Sequence, residues 1–256
     1  MRLFGLIGYP LTHSFSKKYF TDKFEREHLH DCTYLNFEIE NIDALHDVIK
    51  MNANLIGLNV TIPYKTAVIP LLDSLSEKAE SIGAVNTIKV ENNNGRKILK
   101  GFNTDADGFE QSLLPLLKPY HTKAIIIGSG GASRAVANLL SKLNIDYLFL
   151  TRNKETTIDK TILKLLSFKD VNEKLISEHK LIINTTPLGM YPHIESFPAL
   201  PYHAITKEHL IYDLVYNPEE TVFLSKAKQQ GAQIKNGLEM LHLQAEKAWR
   251  IWNEIE

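Results

Sequence analysis

Short apolar segments alternate with longer segments of helical periodicity along most of this chain. Residues 3–8, 55–62 and 123–128 are rich in Val, Ile, Leu and Phe, whereas stretches such as 132–143 repeat apolar residues at spacings of three and four. This alternation is typical of α/β proteins, in which helices cover a sheet. The pattern therefore predicts an α/β fold.

The first half of the chain predicts a mixed sheet. Its candidate strands are 3–8, 33–39, 55–62, 84–90 and 97–103, with helices at 16–29 and 42–51. The last two strands flank the dipeptide Asn94-Gly95, which favours the positive φ angles of a tight hairpin turn. We expect residues 1–103 to form the first domain.

The pattern restarts after residue 103 as a βαβ unit, which predicts a second domain over 104–236. A strand, a glycine-rich turn, a helix and the strand 147–151 follow each other, as in a Rossmann-type doubly wound fold. The helix at 238–255 carries an apolar stripe, so we expect 237–256 to pack back onto the first domain, with a cleft between the domains. The stripe consists of Leu241, Ala245, Ala248, Trp249 and Trp252.

Composition excludes several functional classes. The 256 residues include 29 Lys and Arg against 30 Asp and Glu, and this balance argues against a nucleic-acid-binding protein. No apolar run approaches the roughly 18 residues of a membrane span, and the N-terminus leads into a strand pattern rather than a signal peptide. The histidines show no ligand spacing, so no metal site is expected. We predict a cytoplasmic protein with a small-molecule ligand.

The glycine-rich turn predicts a dinucleotide site. Gly128, Ser129, Gly130, Gly131 and Ala132 follow an apolar strand and open a helix. Glycines in this context allow backbone N–H groups and the helix N-terminus to approach a pyrophosphate. Because serine replaces the third glycine of the usual pattern, an ordinary strand-to-helix turn remains an alternative.

The end of the next strand favours NADP over NAD. A free ribose 2′-hydroxyl is usually bound by Asp or Glu at this point, whereas a 2′-phosphate is bound by Arg. Here Thr151 and Arg152 are followed by Lys154, with no acid before Glu155. A guanidinium and an ammonium group would flank a phosphate dianion.

Polar residues cluster at strand ends in the first half. Asn59 and Thr61 share one face of a strand, and Lys65 follows just beyond it. An amide, a hydroxyl and an ammonium group suit a small polyhydroxylated anion, although a strand with one solvated face is an alternative. Similar turn and strand-end positions are held by Ser14, Ser16, Asn86 and Asp105.

These segments together resemble the shikimate dehydrogenase family, in order and over almost the whole chain. The matching stretches are HSFS from His13, GLNVTIPYK from Gly57, AVNT from Ala84, NTD from Asn103, the glycine turn, NTTPLGM from Asn184 and DLVYNPEET from Asp213. The resemblance implies reversible, NADPH-dependent reduction of 3-dehydroshikimate to shikimate in aromatic amino-acid biosynthesis. It implies that residues 1–103 form a substrate-binding domain and residues 104–236 an NADP-binding domain.

The resemblance also assigns roles to individual positions. It implies that Ser14 and Ser16 hold the substrate carboxylate, that Lys65 and Asp105 are the catalytic pair, and that Tyr216 lies beside the substrate. Ring hydroxyls would be held by Asn59, Thr61, Asn86, Asp105 and Gln244. Cofactor-binding positions would be Gly128, Ser129, Gly130, Gly131, Ala132, Thr151 and Arg152, with Thr185, Leu214 and Gly237 near the nicotinamide.

Lys65 is the expected proton donor for the ketone oxygen, and Asp105 is expected to orient it. A close Lys and Asp pair titrates as a unit, so the sequence leaves open which of the two carries the proton. Two alternatives also stay open, a quinate/shikimate dehydrogenase and a non-catalytic ligand sensor. We expect a monomer or a homodimer.

Overall fold

A computed structural model describes residues 1–11, 15–152 and 165–254. The chain divides into two compact units, one formed by Met1–Thr104 with Gln244–Glu256 and the other by Asp105–Leu243. No helix within the described ranges has both the length and the apolar character needed to cross a membrane.

The first unit contains a mixed six-stranded sheet, as predicted. Its order is β2-β1-β3-β5-β6-β4, and β5 runs antiparallel to both of its neighbours while the other pairs are parallel. The predicted hairpin turn joins β5 to β6, with φ of 51° at Asn94 and 85° at Gly95. The strands are β1 (Arg2–Gly8), β2 (Cys32–Glu38), β3 (Leu55–Val60), β4 (Ser74–Leu75), β5 (Thr87–Asn93) and β6 (Arg96–Phe102).

Both faces of this sheet are covered. One face packs an aliphatic core that includes Ile7, Leu58 and Val60. The opposite face carries an aromatic core that includes Phe4 and Tyr34 from the strands and residues of the helix α1 (Phe15–Arg26). Two shorter helices, α2 (Leu45–Met51) and α3 (Glu77–Ile82), belong to the same unit.

The second unit contains a parallel sheet of order β12-β11-β10-β7-β8-β9. Numbered within the unit and taken from the β9 edge, this order is 3-2-1-4-5-6, which is the Rossmann arrangement. Ala124 and Ile126 of β7 pack into one core, and Ile125 and Ile127 pack into another, so the sheet is covered on both faces. The strands are β7 (Lys123–Ile127), β8 (Asp146–Thr151), β9 (Leu165–Ser167), β10 (Leu181–Asn184), β11 (Leu210–Asp213) and β12 (Gln233–Lys235).

The helices of the second unit are α4 (Thr104–Leu113), α5 (Gly131–Lys142), α6 (Glu173–Glu178) and α7 (Val222–Gln229). The last helix, α8 (Leu238–Asn253), contributes to both units. Its Met240 packs in the core of the second unit, while Ala245, Ala248, Trp249 and Trp252 pack in the aromatic core of the first. The sequence predicts a domain boundary between residues 236 and 237. In the structure the second unit ends at Leu243, one turn beyond Met240, and the first unit resumes at Gln244.

Candidate active site

Asn59 lies near the end of β3 and is only 4% exposed. It shares a sheet face with Leu6, its register partner on β1, and that face is covered by the aromatic core. The alternative of a strand with one solvated face is therefore wrong, because α1 and α8 supply a cover that strand alternation cannot indicate. A buried amide in this position must be hydrogen-bonded.

The hydrogen bonds of Asn59 join it to two strands. The phenol of Tyr34 donates to its Oδ1 over 2.7 Å, and its Nδ2 donates to Oγ1 of Thr87 over 3.3 Å. The hydroxyls of Thr87 and Thr104 lie 3.1 Å apart. The Ser16 hydroxyl, from the first turn of α1, is hydrogen-bonded to the Tyr34 phenol. Burial raises the pKa of Tyr34, so the phenol keeps its proton.

Asn86 and Gln244 complete the same network. Oδ1 of Asn86 accepts from the backbone N–H of Thr104 over 2.6 Å, at the first residue of α4. Nδ2 of Asn86 donates to Oγ1 of Thr104 over 3.0 Å and faces Oε1 of Gln244 at 3.5 Å. Three amides that are far apart in sequence, those of Asn59, Asn86 and Gln244, therefore share one buried polar cluster.

The segment from Thr61 to Lys65 leaves the sheet in a defined way. The Thr61 N–H donates to the Ile7 carbonyl over 3.0 Å, and the Lys65 carbonyl accepts from Val85 N–H over 2.7 Å. Between them the buried Tyr64 donates its phenol proton to the Ile39 carbonyl over 2.6 Å. Lys65 is half-buried, as is Asp105 in the first turn of α4. Ser14 lies outside the described residues.

In the second unit, the glycine turn lies at the carboxyl end of β7, where the strand order reverses between β7 and β10. Gly128 has φ of +111°, and a Cβ there would lie 2.6 Å from Oγ1 of Thr185, at the end of β10. A Cβ at Gly130 would meet nothing within 4 Å. Gly130 also precedes α5, and no side chain of the described residues caps that helix start. The backbone is thus accessible to an anionic group beside a helix N-terminus.

Serine in place of the third glycine does not disturb this turn. Ser133 is fully buried, and its hydroxyl donates to the Gly130 carbonyl over 2.6 Å. The small side chain is therefore satisfied within the first turn of α5. On the neighbouring strand, Thr151 is buried at the end of β8, and Arg152 follows it as an exposed side chain. Lys154 lies outside the described residues.

A buried carboxylate organises the ends of β10 and β11. Asp213 Oδ1 accepts from Asn184 Nδ2 over 2.9 Å and from Val215 N–H over 3.0 Å, and Oδ2 accepts from Thr221 Oγ1 over 2.7 Å. Burial raises the pKa of Asp213 to about 6, against the opposing effect of these donors. The carboxylate thereby fixes the segment that carries Leu214 and Tyr216.

Gly237 packs directly against that segment. Its N–H donates to the Val215 carbonyl over 3.2 Å, and a Cβ at Gly237 would lie 2.1 Å from the Leu214 carbonyl oxygen. Only glycine allows this approach of the two backbones. Tyr216 is half-buried, and burial raises its pKa.

Several members of these clusters carry no role in the sequence analysis. Thr87, Thr104 and Asp213 lie inside the quoted family stretches, so their position offered a signal, whereas Tyr34 lies in an unremarked part of β2. Its partnership with Asn59 depends on strand register, which a single sequence does not reveal.

Comparison with known proteins identifies the family. Residues 6–88 match the family model described as the shikimate dehydrogenase substrate binding domain. A shikimate dehydrogenase (NADP(+)) from Halothermothrix orenii is 40% identical, over 98% of this chain and 91% of its own length.

Solved structures agree over the full length. Shikimate 5-dehydrogenase from Thermus thermophilus, in complex with NADP(H) and shikimate, has a TM-score of 0.83 and 32% identity, covering 99% of this chain and 94% of its own. Quinate dehydrogenase from Corynebacterium glutamicum, in complex with NAD, has a TM-score of 0.84 at 27% identity, with coverages of 100% and 94%. The chain belongs to the shikimate dehydrogenase family.

Proposed function

We propose that the chain catalyses the reversible, NADPH-dependent reduction of 3-dehydroshikimate to shikimate. The observation that carries the proposal is the buried cluster that brings together the amides of Asn59, Asn86 and Gln244. Amides and hydroxyls both donate and accept hydrogen bonds, as recognition of a polyhydroxylated ring requires. Ser14 and Ser16 hold the substrate carboxylate in this proposal, and Thr61, Asp105 and Tyr216 complete the substrate contacts.

The second unit has the features needed to hold NADP. The open side of Gly130 and the start of α5 suit a pyrophosphate, which the segment from Gly128 to Ala132 would bind. The exposed guanidinium of Arg152, after the buried Thr151, would bind the 2′-phosphate. Thr185, Leu214 and Gly237 would contact the nicotinamide. The bound cofactor supplies a hydride, and the protein must manage the accompanying proton.

Lys65 donates that proton in the direction of ketone reduction. Negative charge develops on the ketone oxygen, and a positioned acid contributes on the order of 10² to 10⁴ in rate. Asp105 orients Lys65 and accepts a hydrogen bond from a ring hydroxyl. The hydrogen bond from Val85 N–H to the Lys65 carbonyl supports this role, because it holds the lysine backbone beside the segment that carries Asn86.

Steady-state kinetics of Lys65→Ala test the assignment of the proton donor. A proton donor is needed in the transition state, so kcat is expected to fall by at least about 100-fold. Lys65→Arg keeps the positive charge, but a guanidinium is a much weaker acid than an ammonium group, so this matched control should lose kcat to a similar degree. Nearly normal kcat with a raised KM would make Lys65 a binding residue only.

Two rival functions give different results in one comparison of turnover. A quinate/shikimate dehydrogenase would oxidise quinate with NAD, and a ligand sensor would turn over neither substrate. The exposed Arg152 after β8 favours NADP, and the amide cluster favours a ligand rich in hydroxyls. Rates with shikimate and quinate, each with NADP and NAD, are expected to be highest for shikimate with NADP. A preference for quinate with NAD would support the rival enzyme.

We also propose that the enzyme is cytoplasmic and that it is a monomer or a homodimer. The balanced charge of the chain supports a protein that needs neither nucleic acid nor a charged surface as a partner. Light scattering of the purified protein measures the oligomeric state, and a mass above that of a dimer would contradict the proposal.

A further inference from the structure

Tyr34 reaches Asn59 across an intervening strand. On β1, Phe4 is the register partner of Tyr34 from β2, and Leu6 is the register partner of Asn59 from β3. Positions two apart on a strand face the same side of a sheet, so the two side chains lie on one face, on either side of β1. The buried 2.7 Å hydrogen bond between them spans this gap.

The ring of Tyr34 is held firmly. It stacks on Phe20 of α1 with ring centroids 4.8 Å apart and planes 13° apart, and the indole of Trp252 lies at 6.5 Å. The side chain is 3% exposed. Stacked, buried aromatic rings keep one rotamer, so the phenolic oxygen has a fixed position.

The fixed phenol determines which way the Asn59 amide faces. A phenol has one proton, and a carbonyl oxygen can only accept, so Tyr34 donates to Oδ1 of Asn59 and accepts from Ser16. On the other side, the backbone carbonyl of Asn86, which accepts from Val60 N–H over 2.8 Å, lies 3.5 Å from Nδ2 of Asn59 and can act only as an acceptor. A flipped amide would turn Nδ2 toward the Tyr34 proton and Oδ1 toward this carbonyl, so a donor would face a donor at one end and an acceptor would face an acceptor at the other.

We propose that Tyr34 is a positioning residue for substrate recognition, which acts through Asn59. It holds the amide in the one orientation in which Oδ1 keeps a second lone pair to accept from a ligand hydroxyl. This inference rests on the proposed function, since Asn59 must contact a ring hydroxyl. Tyr34 touches no reacting atom in this scheme, so its loss affects ground-state and transition-state binding alike.

A double-mutant cycle on KM for shikimate tests the proposal. Tyr34→Phe keeps the stacked ring and removes one hydroxyl, and it is expected to raise KM about tenfold while kcat changes less than about twofold. In the Asn59→Ala background the same substitution is expected to change KM less than about twofold, because the group it acts through is gone. Equal effects in both backgrounds, or none in either, would overturn the proposal.

Two further variants keep the test decisive. Tyr212→Phe removes another buried phenol, which contacts Ser112 over 2.7 Å in the second unit, and it should leave KM for shikimate unchanged. If Tyr34→Phe does not fold, Thr87→Val, which removes the partner of Nδ2 of Asn59, replaces it. The effect of Thr87→Val on KM must be smaller in the Asn59→Ala background than in the wild type. An undiminished effect overturns the proposal. Lack of shikimate turnover by the unmodified protein would instead refute the proposed function.

Discussion

The indole of Trp252 lies directly on Gly57. A Cβ at position 57 would come within 2.2 Å of the indole ring, whose Nε1 donates to the Ile88 carbonyl over 3.0 Å. This contact fixes the last turns of α8 on the first sheet. It therefore also determines where the same helix delivers Gln244 to the amide cluster.

Gly57→Ala is expected to lower the free energy of unfolding by about 2 kcal/mol, because the added methyl group overpacks the contact with Trp252. Urea unfolding measures the loss. Gly57→Ala combined with Trp252→Phe is the matched control, because the smaller phenyl ring leaves space for the methyl group. In the Trp252→Phe background, Gly57→Ala should therefore lower the free energy of unfolding by less than in the wild type. A Gly57→Ala variant as stable as the wild type would contradict the packing described for α8.

Gly130→Ala is expected to impair cofactor binding without disturbing the fold. The new Cβ meets no atom of the described residues within 4 Å, and φ of −86° is ordinary for alanine, so stability should change by less than about 1 kcal/mol. The methyl group would occupy the side from which a pyrophosphate approaches. We expect KM for NADP to rise at least about tenfold with KM for shikimate unchanged. Unaltered KM for NADP would show that the turn does not bind the cofactor.

Arg152→Ala tests the choice between the two nicotinamide cofactors. A guanidinium that binds a 2′-phosphate contributes to NADP binding alone, so KM for NADP should rise about 10- to 100-fold while KM for NAD stays within about twofold. Arg152→Lys retains charge without the planar fork and should give an intermediate value. Equal losses for both cofactors would place Arg152 elsewhere on the dinucleotide.

Asp213 is expected to give the protein a specific pH dependence of stability. Its pKa rises from 3.8 to about 6 on folding, so the folded state binds the proton more tightly. The contribution of Asp213 to the free energy of unfolding is therefore fully present at low pH. It decreases by about 3 kcal/mol in total as pH rises from about 4 to about 6. The difference in unfolding free energy between wild type and Asp213→Asn should follow this curve. A difference independent of pH, or one that grows with pH, would refute it.

His209 is expected to have the opposite dependence. It is buried, its Nδ1 lies 3.0 Å from Thr206 N–H and its Nε2 lies 3.0 Å from the Ile176 carbonyl. Burial lowers its pKa below 6.5, so the unfolded chain binds the proton more tightly. Stability should therefore fall as pH decreases below about 6.5. Thermal unfolding of His209→Gln should lose this part of the slope, whereas His30→Gln, which alters an exposed side chain, should retain it.

The sequence predicts the features that depend on local pattern. The alternation of β3, the turn at Asn94-Gly95 and the strand-turn-helix around Gly128 each need only a few adjacent residues, and the structure contains all three. The parallel direction of the strands in the second sheet follows from the predicted βαβ unit, since its helix crosses over between parallel strands.

The features that escaped prediction depend on contacts between distant segments. The helices α3 and α6 have six residues each, too few for a periodicity to stand out. The partnership of Tyr34 with Asn59 requires the registers of two strands against β1, and the burial of Asn59 requires a helix nearly two hundred residues later in the chain. The amide cluster was predictable by residue type, but its hydrogen bonds were not.

The proposed reaction of this chain is the reduction of 3-dehydroshikimate with NADPH. The most direct test follows NADPH consumption after 3-dehydroshikimate is added to the purified protein, with Lys65→Ala as a parallel sample. We expect steady turnover by the wild type and at least about a 100-fold lower rate for the variant. Binding of 3-dehydroshikimate with no NADPH consumption by the wild type would contradict the proposed reaction and favour a ligand sensor.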